Sequence, residues 1–281
     1  MNIEGMQSNY IGSNPRIYYK TIGKGPPLIF LHGIGGNSSN WEEQQIYFSR
    51  EYTTIAWDAR GYGHSEDYYG PLTFSDFSKD LAVLLESLNI KKAHFVGLSM
   101  GARILMDFFS VYSKRVATLT LCDCYYSFEE NFLNLSKRKK YIEIRQKPLL
   151  EGKALTDIAP KIIKSLVSPS CSENIKKKIY NSLSKIRSES YLKTIKEAIN
   201  YDVTKGLSNF NVPVQLIFGE HDALTPPSLG ESMKEKIINS NLDIIPNAGH
   251  LSNMEKPEIF NKILLNFLSK HKNKANYFGN K

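Results

Sequence analysis

A serine with glycine two positions away on either side, in Gly97-Leu98-Ser99-Met100-Gly101, is the clearest nucleophile candidate in this chain. A serine hydroxyl attacks a carbonyl only when a base takes its proton, and the base works best when an acid fixes its tautomer. Both partners have candidates downstream. Asp222 lies in Gly219-Glu220-His221-Asp222, just past the apolar run 212–218, and His250 ends Pro246-Asn247-Ala248-Gly249-His250, just past the run 242–245. A second small-residue segment, His32-Gly33-Ile34-Gly35-Gly36, follows the apolar run Pro27–Leu31. Small residues let backbone N–H groups approach an acyl oxygen. The N–H groups of Ile34 and Met100 are therefore the candidate oxyanion donors, the second also drawing on a helix N-terminus. Together these groups suit acyl transfer, and they imply no metal and no organic cofactor.

Such groups act only if the elements around them aim them. His94-Phe95-Val96 reads as the end of a buried strand and 102–109 as a helix, which puts Ser99 on a very tight turn between the two. Glycine is needed at both flanks because strand and helix cross closely there. Asp222 and His250 fall at C-terminal strand ends, the edge where open α/β sheets bind ligands. Further strands at 16–22, 27–31, 52–57, 93–98 and 116–122 alternate with helices. One helix starts at the polar-capped segment 72–76 and turns Phe77, Leu81, Leu84, Leu85 and Leu88 toward the sheet. Strands alternating with helices predict parallel βαβ units in a doubly wound, mostly parallel sheet of about eight strands. A last helix covers 257–270, and the polar tail 271–281 is expected to fray.

In this order the motifs resemble the α/β-hydrolase family, from near Tyr10 to near Lys270. The loop Asp58-Ala59-Arg60-Gly61-Tyr62-Gly63-His64-Ser65 and the Gly-Leu-Ser-Met-Gly elbow look most like its 3-oxoadipate enol-lactonase, cofactor-free haloperoxidase and C–C-bond hydrolase branch. The resemblance implies hydrolysis of a carboxylic ester or lactone through an acyl-enzyme. Ser99 would be the nucleophile, His250 the base, Asp222 the acid, and Ile34 and Met100 the oxyanion donors. Serine at the nucleophile position sets aside the haloalkane dehalogenase and epoxide hydrolase activities, which use aspartate. Three other readings keep the same residues: a C–C-bond hydrolase of a vinylogous diketone acid, a cofactor-free perhydrolase activity in which peroxide replaces water on the same acyl-enzyme, and a ligand sensor with slow hydrolysis. Asp123, also at a strand end, is the alternative acid. His32 reads as a buried brace for its loop, His221 as structural, Trp41 as core or pocket wall, and Asp58-Ala59-Arg60 as a turn held by an internal ion pair.

Length and composition agree with a soluble α/β domain. The chain has 281 residues, 41% hydrophobic and 23% charged, enough for one sizeable core plus an insertion. Its first residues lack the basic start and apolar core of a secretory signal, and no run approaches the ~18 apolar residues of a membrane span. Cys122, Cys124 and Cys171 are odd in number and lack metal-ligand spacing, which suits a reducing cytoplasm. The alternation stops between Tyr125 and Asn200, where amphipathic runs are expected to break at Pro148, Pro160 and Pro169. The expected organisation is a core of 1–124 and 201–270 with a helical lid at 125–200. From Tyr126 to Asn200 there are 16 Lys and Arg against 8 Asp and Glu, which equals the excess of +8 in the whole chain. Spread as they are, these cations read as solvated helix faces; a funnel for an anionic ester or lactone is the functional alternative. No aromatic interleaving or motif supports nucleic acid as a partner.

Overall fold

The computed structural model describes residues 4–128 and 135–279. Nine strands form one sheet: β1 Gln7–Ile11, β2 Ile17–Ile22, β3 Pro27–Leu31, β4 Thr53–Trp57, β5 Ile90–Leu98, β6 Val116–Cys122, β7 Val214–Gly219, β8 Ser240–Ile245 and β9 Asn276–Tyr277. Their order is β1-β2-β4-β3-β5-β6-β7-β8, with β9 paired to β5. Strands β3 to β8 run parallel to one another, whereas the β1–β2, β2–β4 and β5–β9 pairs are antiparallel. Every residue of β3, β6 and β7 is buried, as expected of parallel strands covered on both faces.

The strand pleat divides the core into two layers. Leu28 and Phe30 of β3 join Trp41, Phe48, Phe260 and Leu264 on one face, while Ile29 and Leu31 join Phe77, Leu81, Ile104 and Phe108 on the other. The covering helices are α1 Glu42–Phe48, α2 Phe74–Ser87 and α3 Met100–Tyr112. In α2 the Thr73 N–H donates to Asp76 Oδ2 at 2.9 Å, closing the first turn. Phe77, Leu81, Leu84 and Leu85 of α2 are fully buried, each contributing about 1.5–3 kcal/mol.

Among the described residues the segment between β6 and β7 carries the helices α4 Leu135–Arg145, α5 Lys147–Leu150, α6 Leu155–Leu166, α7 Glu173–Leu183 and α8 Ser188–Ile199, and its two ends meet in a bridge between Ser127 and Asp202. The side chains of Lys137 and Arg138, part of the first basic run, lie outside the described residues. Pro160 does not break the chain where the sequence suggests; it sits inside α6. That helix forgoes one backbone bond at Pro160, and burial of Leu155, Ile158, Ala159, Ile162 and Leu166 offsets the loss. After β7 come α9 Pro227–Lys236, α10 Ser252–Glu255 and α11 Pro257–Ser269. The tail also differs from expectation. Instead of fraying, β9 pairs antiparallel with β5, Phe278 N–H donates to Asn89 O at 3.0 Å, and Lys272 pairs with Glu51 at 2.6 Å.

Candidate active site

The elbow after β5 explains its own sequence. Ser99 has φ +54° and ψ −110°, a conformation that is sparsely populated for a residue with a side chain. Its N–H donates to Cys122 O at 2.9 Å, tying the turn to β6. A Cβ on Gly97 would collide with the backbone of Gly101 and Ala102, and one on Gly101 with the backbone of Leu31. The turn is therefore closed to any other residue at these positions. Ser99 is 8% exposed, and its hydroxyl makes no hydrogen bond among the described residues.

The His32–Gly36 loop sits directly against this turn. A Cβ on Gly33 would lie 3.2 Å from Ser99 Cβ and 3.0 Å from Leu98 Cδ2. Gly36 N–H donates to Gly33 O at 3.0 Å, curling the loop. The N–H groups of Ile34 and Met100 have no protein acceptor among the described residues, so both stay available to a ligand oxygen. His32 braces the loop, as its sequence context suggests. Its Nε2 accepts the Ala59 N–H at 3.0 Å and its Nδ1–H donates to Gly33 O at 2.8 Å. Burial pushes its pKa down, which favours this neutral form.

At the ends of β7 and β8 the structure brings Asp222 to His250. Asp222 Oδ2 accepts the Nδ1–H of His250 at 2.8 Å and the hydroxyl of Thr225 at 2.5 Å. Its Oδ1 accepts the N–H groups of Leu224 at 2.8 Å and Thr225 at 2.9 Å. With Nδ1–H committed to the carboxylate, Nε2 is the basic nitrogen of the ring. The His250 loop is fixed at the main chain as well. His250 N–H donates to Leu166 O at 2.8 Å, and Glu255 accepts N–H groups from Gly249 at 3.0 Å and Ser168 at 3.1 Å. Thr225 and Glu255 were not singled out from the sequence. The Asp-x-x-Thr spacing in Asp222–Thr225 is the one signal that could have flagged the first.

Asp123, the alternative acid, does not reach His250. Its Oδ1 accepts Gly219 N–H at 2.7 Å and its Oδ2 accepts the Ser252 hydroxyl at 2.5 Å. Burial and the neighbouring Asp222 charge push its pKa well up. The expected ion pair within Asp58-Ala59-Arg60 is also absent. Arg60 makes a two-pronged contact with Asp80, at 2.7 Å each, while Asp58 accepts N–H groups from Ser38 and His64 at 2.7 Å. A planar guanidinium matches a carboxylate across two bonds, which the adjacent turn position does not offer. His221 points outward near Glu220. Trp41 is buried against Phe30 and Phe260. Among the described residues no three His, Cys, Asp or Glu side chains gather as a metal-ligand cluster.

Leu98 of the elbow, Ile34 of the loop, Leu251 beside His250, and Leu166 and Leu183 of the overlying helices enclose a cavity of about 20 Å³. That is room for a single water. Four strand-end residues (Ser99 after β5, Asp123 after β6, Asp222 after β7 and His250 after β8) thus share one edge of the sheet, beneath the helices of 135–199.

This arrangement of sheet, elbow and strand-end side chains is that of a known family. The family model for the alpha/beta hydrolase fold matches residues 26–257, and the chain belongs to that family. It is 28% identical over 245 residues to 3-oxoadipate enol-lactonase 2 of Acinetobacter baylyi, covering 86% of this chain and 89% of the relative. It is 25% identical over 287 residues to the 2-hydroxy-6-oxononadienedioate/2-hydroxy-6-oxononatrienedioate hydrolase of Burkholderia vietnamiensis, covering 95% and 98%. Among solved structures it is similar to a thermophilic esterase from Thermogutta terrifontis, with 27% identity, 95% and 99% coverage and a TM-score of 0.81. The enol-lactonase and the dienedioate hydrolase fall in the branch that the elbow and the Arg60–Ser65 loop resemble.

Proposed function

We propose that this chain is a serine hydrolase that cleaves a carboxylic ester or lactone through an acyl-enzyme. The observation that carries the reading is the Asp222–His250 hydrogen bond, set on the same strand edge as an unengaged serine hydroxyl on a strained elbow. Ser99 Oγ attacks the carbonyl carbon while His250 Nε2 takes its proton, and Asp222 stabilises the resulting imidazolium. The carbonyl oxygen, now negative, accepts the N–H groups of Ile34 and Met100. His250 passes its proton to the leaving oxygen. It then draws a proton from water, which attacks the acyl-enzyme and restores Ser99.

In this reading 1–124 and 201–270 form the catalytic core, and 125–200 is a lid. The cavity between them is walled by the His32–Gly36 loop and Leu98 on one side and by Leu166, Ile179 and Leu183 on the other, so in this reading the lid forms one wall of the acyl pocket. No helix among the described residues is long and apolar enough to cross a membrane, and the buried free cysteines fit the cytoplasm.

The test is turnover of p-nitrophenyl esters, from acetyl to octanoyl, by the wild type and Ser99→Ala in parallel. The reading expects a chain-length optimum in the wild type and background rates in the variant. A Ser99→Ala variant as active as the wild type overturns it.

A further inference from the structure

Trp41 and Asn253 share the wall of the cavity beside the oxyanion loop with Ile34, Leu98 and Leu251. They are 1% and 2% exposed, and each carries one buried polar atom without a partner among the described residues. In Trp41 that atom is Nε1, whose N–H can only donate; in Asn253 it is Oδ1, which can only accept. Other orphaned atoms, Arg103 Nε and the Tyr62 hydroxyl among them, belong to residues outside this wall.

Both groups are fixed in place by their neighbours. Gln44 Nε2 donates to Asn253 O and to Asn261 Oδ1, each at 3.1 Å, which leaves Gln44 Oε1 as an acceptor. Asn253 Nδ2 donates to that oxygen at 3.3 Å and to Asn40 O at 3.0 Å, so the amide is held with Oδ1 as its open end. The Trp41 indole packs against the rings of Phe30 and Phe260, with centres 5.1 and 6.0 Å away. Asn40 directly precedes Trp41, so the Asn253–Asn40 bond ties the open acceptor to the segment that carries the open donor.

A buried donor and a buried acceptor left unpaired cost stability, and native proteins answer such groups with water or a ligand. The cavity of about 20 Å³ admits an oxygen-sized group. A hydroxyl answers both atoms at once: its oxygen accepts the Trp41 N–H, and its own proton goes to Asn253 Oδ1. A ketone answers only the indole, and an ammonium only the amide oxygen. A carboxylate would set a charged oxygen against Asn253 Oδ1 with no proton between them.

We propose that Trp41 and Asn253 form a hydroxyl-recognition subsite, and that the acyl group of the substrate carries an alcohol hydroxyl that reaches it. The inference rests on the serine-hydrolase reading and deepens it, by naming the substrate class as a hydroxyacyl ester or lactone. Gly33 and Ile34 of the oxyanion loop line the same cavity, so a hydroxyl held there also helps to register the carbonyl against the Ile34 N–H.

The test compares matched ethyl esters by acid release: butanoate with 3-hydroxybutanoate, hexanoate with 6-hydroxyhexanoate, and octanoate with 8-hydroxyoctanoate. Each rate is divided by that of the same ester in dilute alkali, which removes intrinsic reactivity. In the wild type the hydroxy ester is expected to lead its partner by ~10–100-fold in kcat/KM at one chain length, the scale of two neutral hydrogen bonds. That ratio is expected to fall toward one in Trp41→Phe, which keeps a ring and loses the N–H, and in Asn253→Ala. Equal rates within every wild-type pair would leave the two atoms to water and overturn the proposal, as would a ratio unchanged in either variant. If no ester is turned over, it is the serine reading that fails, and the indole N–H resonance of Trp41, assigned by its loss in Trp41→Phe, decides the subsite. A shift on titration with propan-1-ol and none with 1-chloropropane supports it; the same response to both, or none to either, overturns it.

Discussion

Replacing Asp222 by asparagine isolates what its carboxylate does for His250. The Leu224 and Thr225 N–H groups both point at Oδ1, so the amide oxygen of Asp222→Asn is held at that position. The amide nitrogen then faces Thr225 Oγ1 and His250 Nδ1. The threonine hydroxyl can rotate to accept, but the ring nitrogen can accept only by giving up its own proton. His250 is thereby switched to the Nε2–H tautomer and can no longer receive the Ser99 proton. Imposing the wrong tautomer on such a triad costs about 10⁴ in kcat, or roughly 5 kcal/mol of transition-state stabilisation. The two backbone bonds survive, so the fold is expected to hold. Asp123→Asn is the matched control. Its oxygen can still accept Gly219 N–H and its nitrogen can donate to Ser252 Oγ, neither of which touches His250. Its kcat is expected within about threefold of the wild type, with Tm unchanged or raised, because a buried acid beside Asp222 is removed. The assay is kcat on p-nitrophenyl acetate beside a thermal melt. Asp222→Asn within tenfold of wild type, or Asp123→Asn falling as far as Asp222→Asn, would refute the assignment of the acid.

Two further predictions address the loop and the fold. Gly33→Ala sets a methyl 3.2 Å from Ser99 Cβ and 3.0 Å from Leu98 Cδ2. The resulting shift of the Ile34 N–H should lower kcat by ~10–100-fold, approaching the loss of one oxyanion donor; steady-state kinetics with an unchanged melt would bear this out. His94 accepts from the Thr118 hydroxyl and donates to Lys272 O. Burial pushes its pKa down to about 4 from the ordinary 6.5. The unfolded chain therefore takes up a proton that the native state refuses, and stability present above pH 6.5 drains away as pH falls toward 4. The full loss is about 3 kcal/mol. Urea titrations across that range should show this slope in the wild type and a flatter one in His94→Asn.

The elements that do chemistry were the easiest to read because their sequences are over-determined. Only glycine fits at 97 and 101, where strand and helix backbones meet, so Ser99 announces its turn. Strands buried on both faces, such as β3, leave short apolar runs bounded by glycine, proline and polar residues. What escaped notice depends on partners distant in sequence. Arg60 could not be matched to Asp80 from the residues beside it. The exposed strand β1 and the two-residue β9 carry too little apolar pattern to separate from polar termini; a bond such as Phe278 N–H to Asn89 O is visible only in the fold. Pro160 reads as a breaker because the buried face of α6 that outweighs it is a tertiary fact. Arg145, buried where the other described cations of 135–199 are not, cannot be told from them by sequence, since burial is not written in a residue's type.

The proposed mechanism acylates Ser99 Oγ, and covalent trapping tests this most directly. A p-nitrophenyl alkylphosphonate mimics the tetrahedral intermediate and bonds irreversibly to an activated serine. Mass spectrometry of the intact wild type should show one phosphonyl group per chain, and peptide mapping should place it on Ser99. Ser99→Ala should take up none, and Asp222→Asn should react far more slowly than Asp123→Asn. A wild type that stays unlabelled while turning over esters, or a label that persists in Ser99→Ala, would contradict the account.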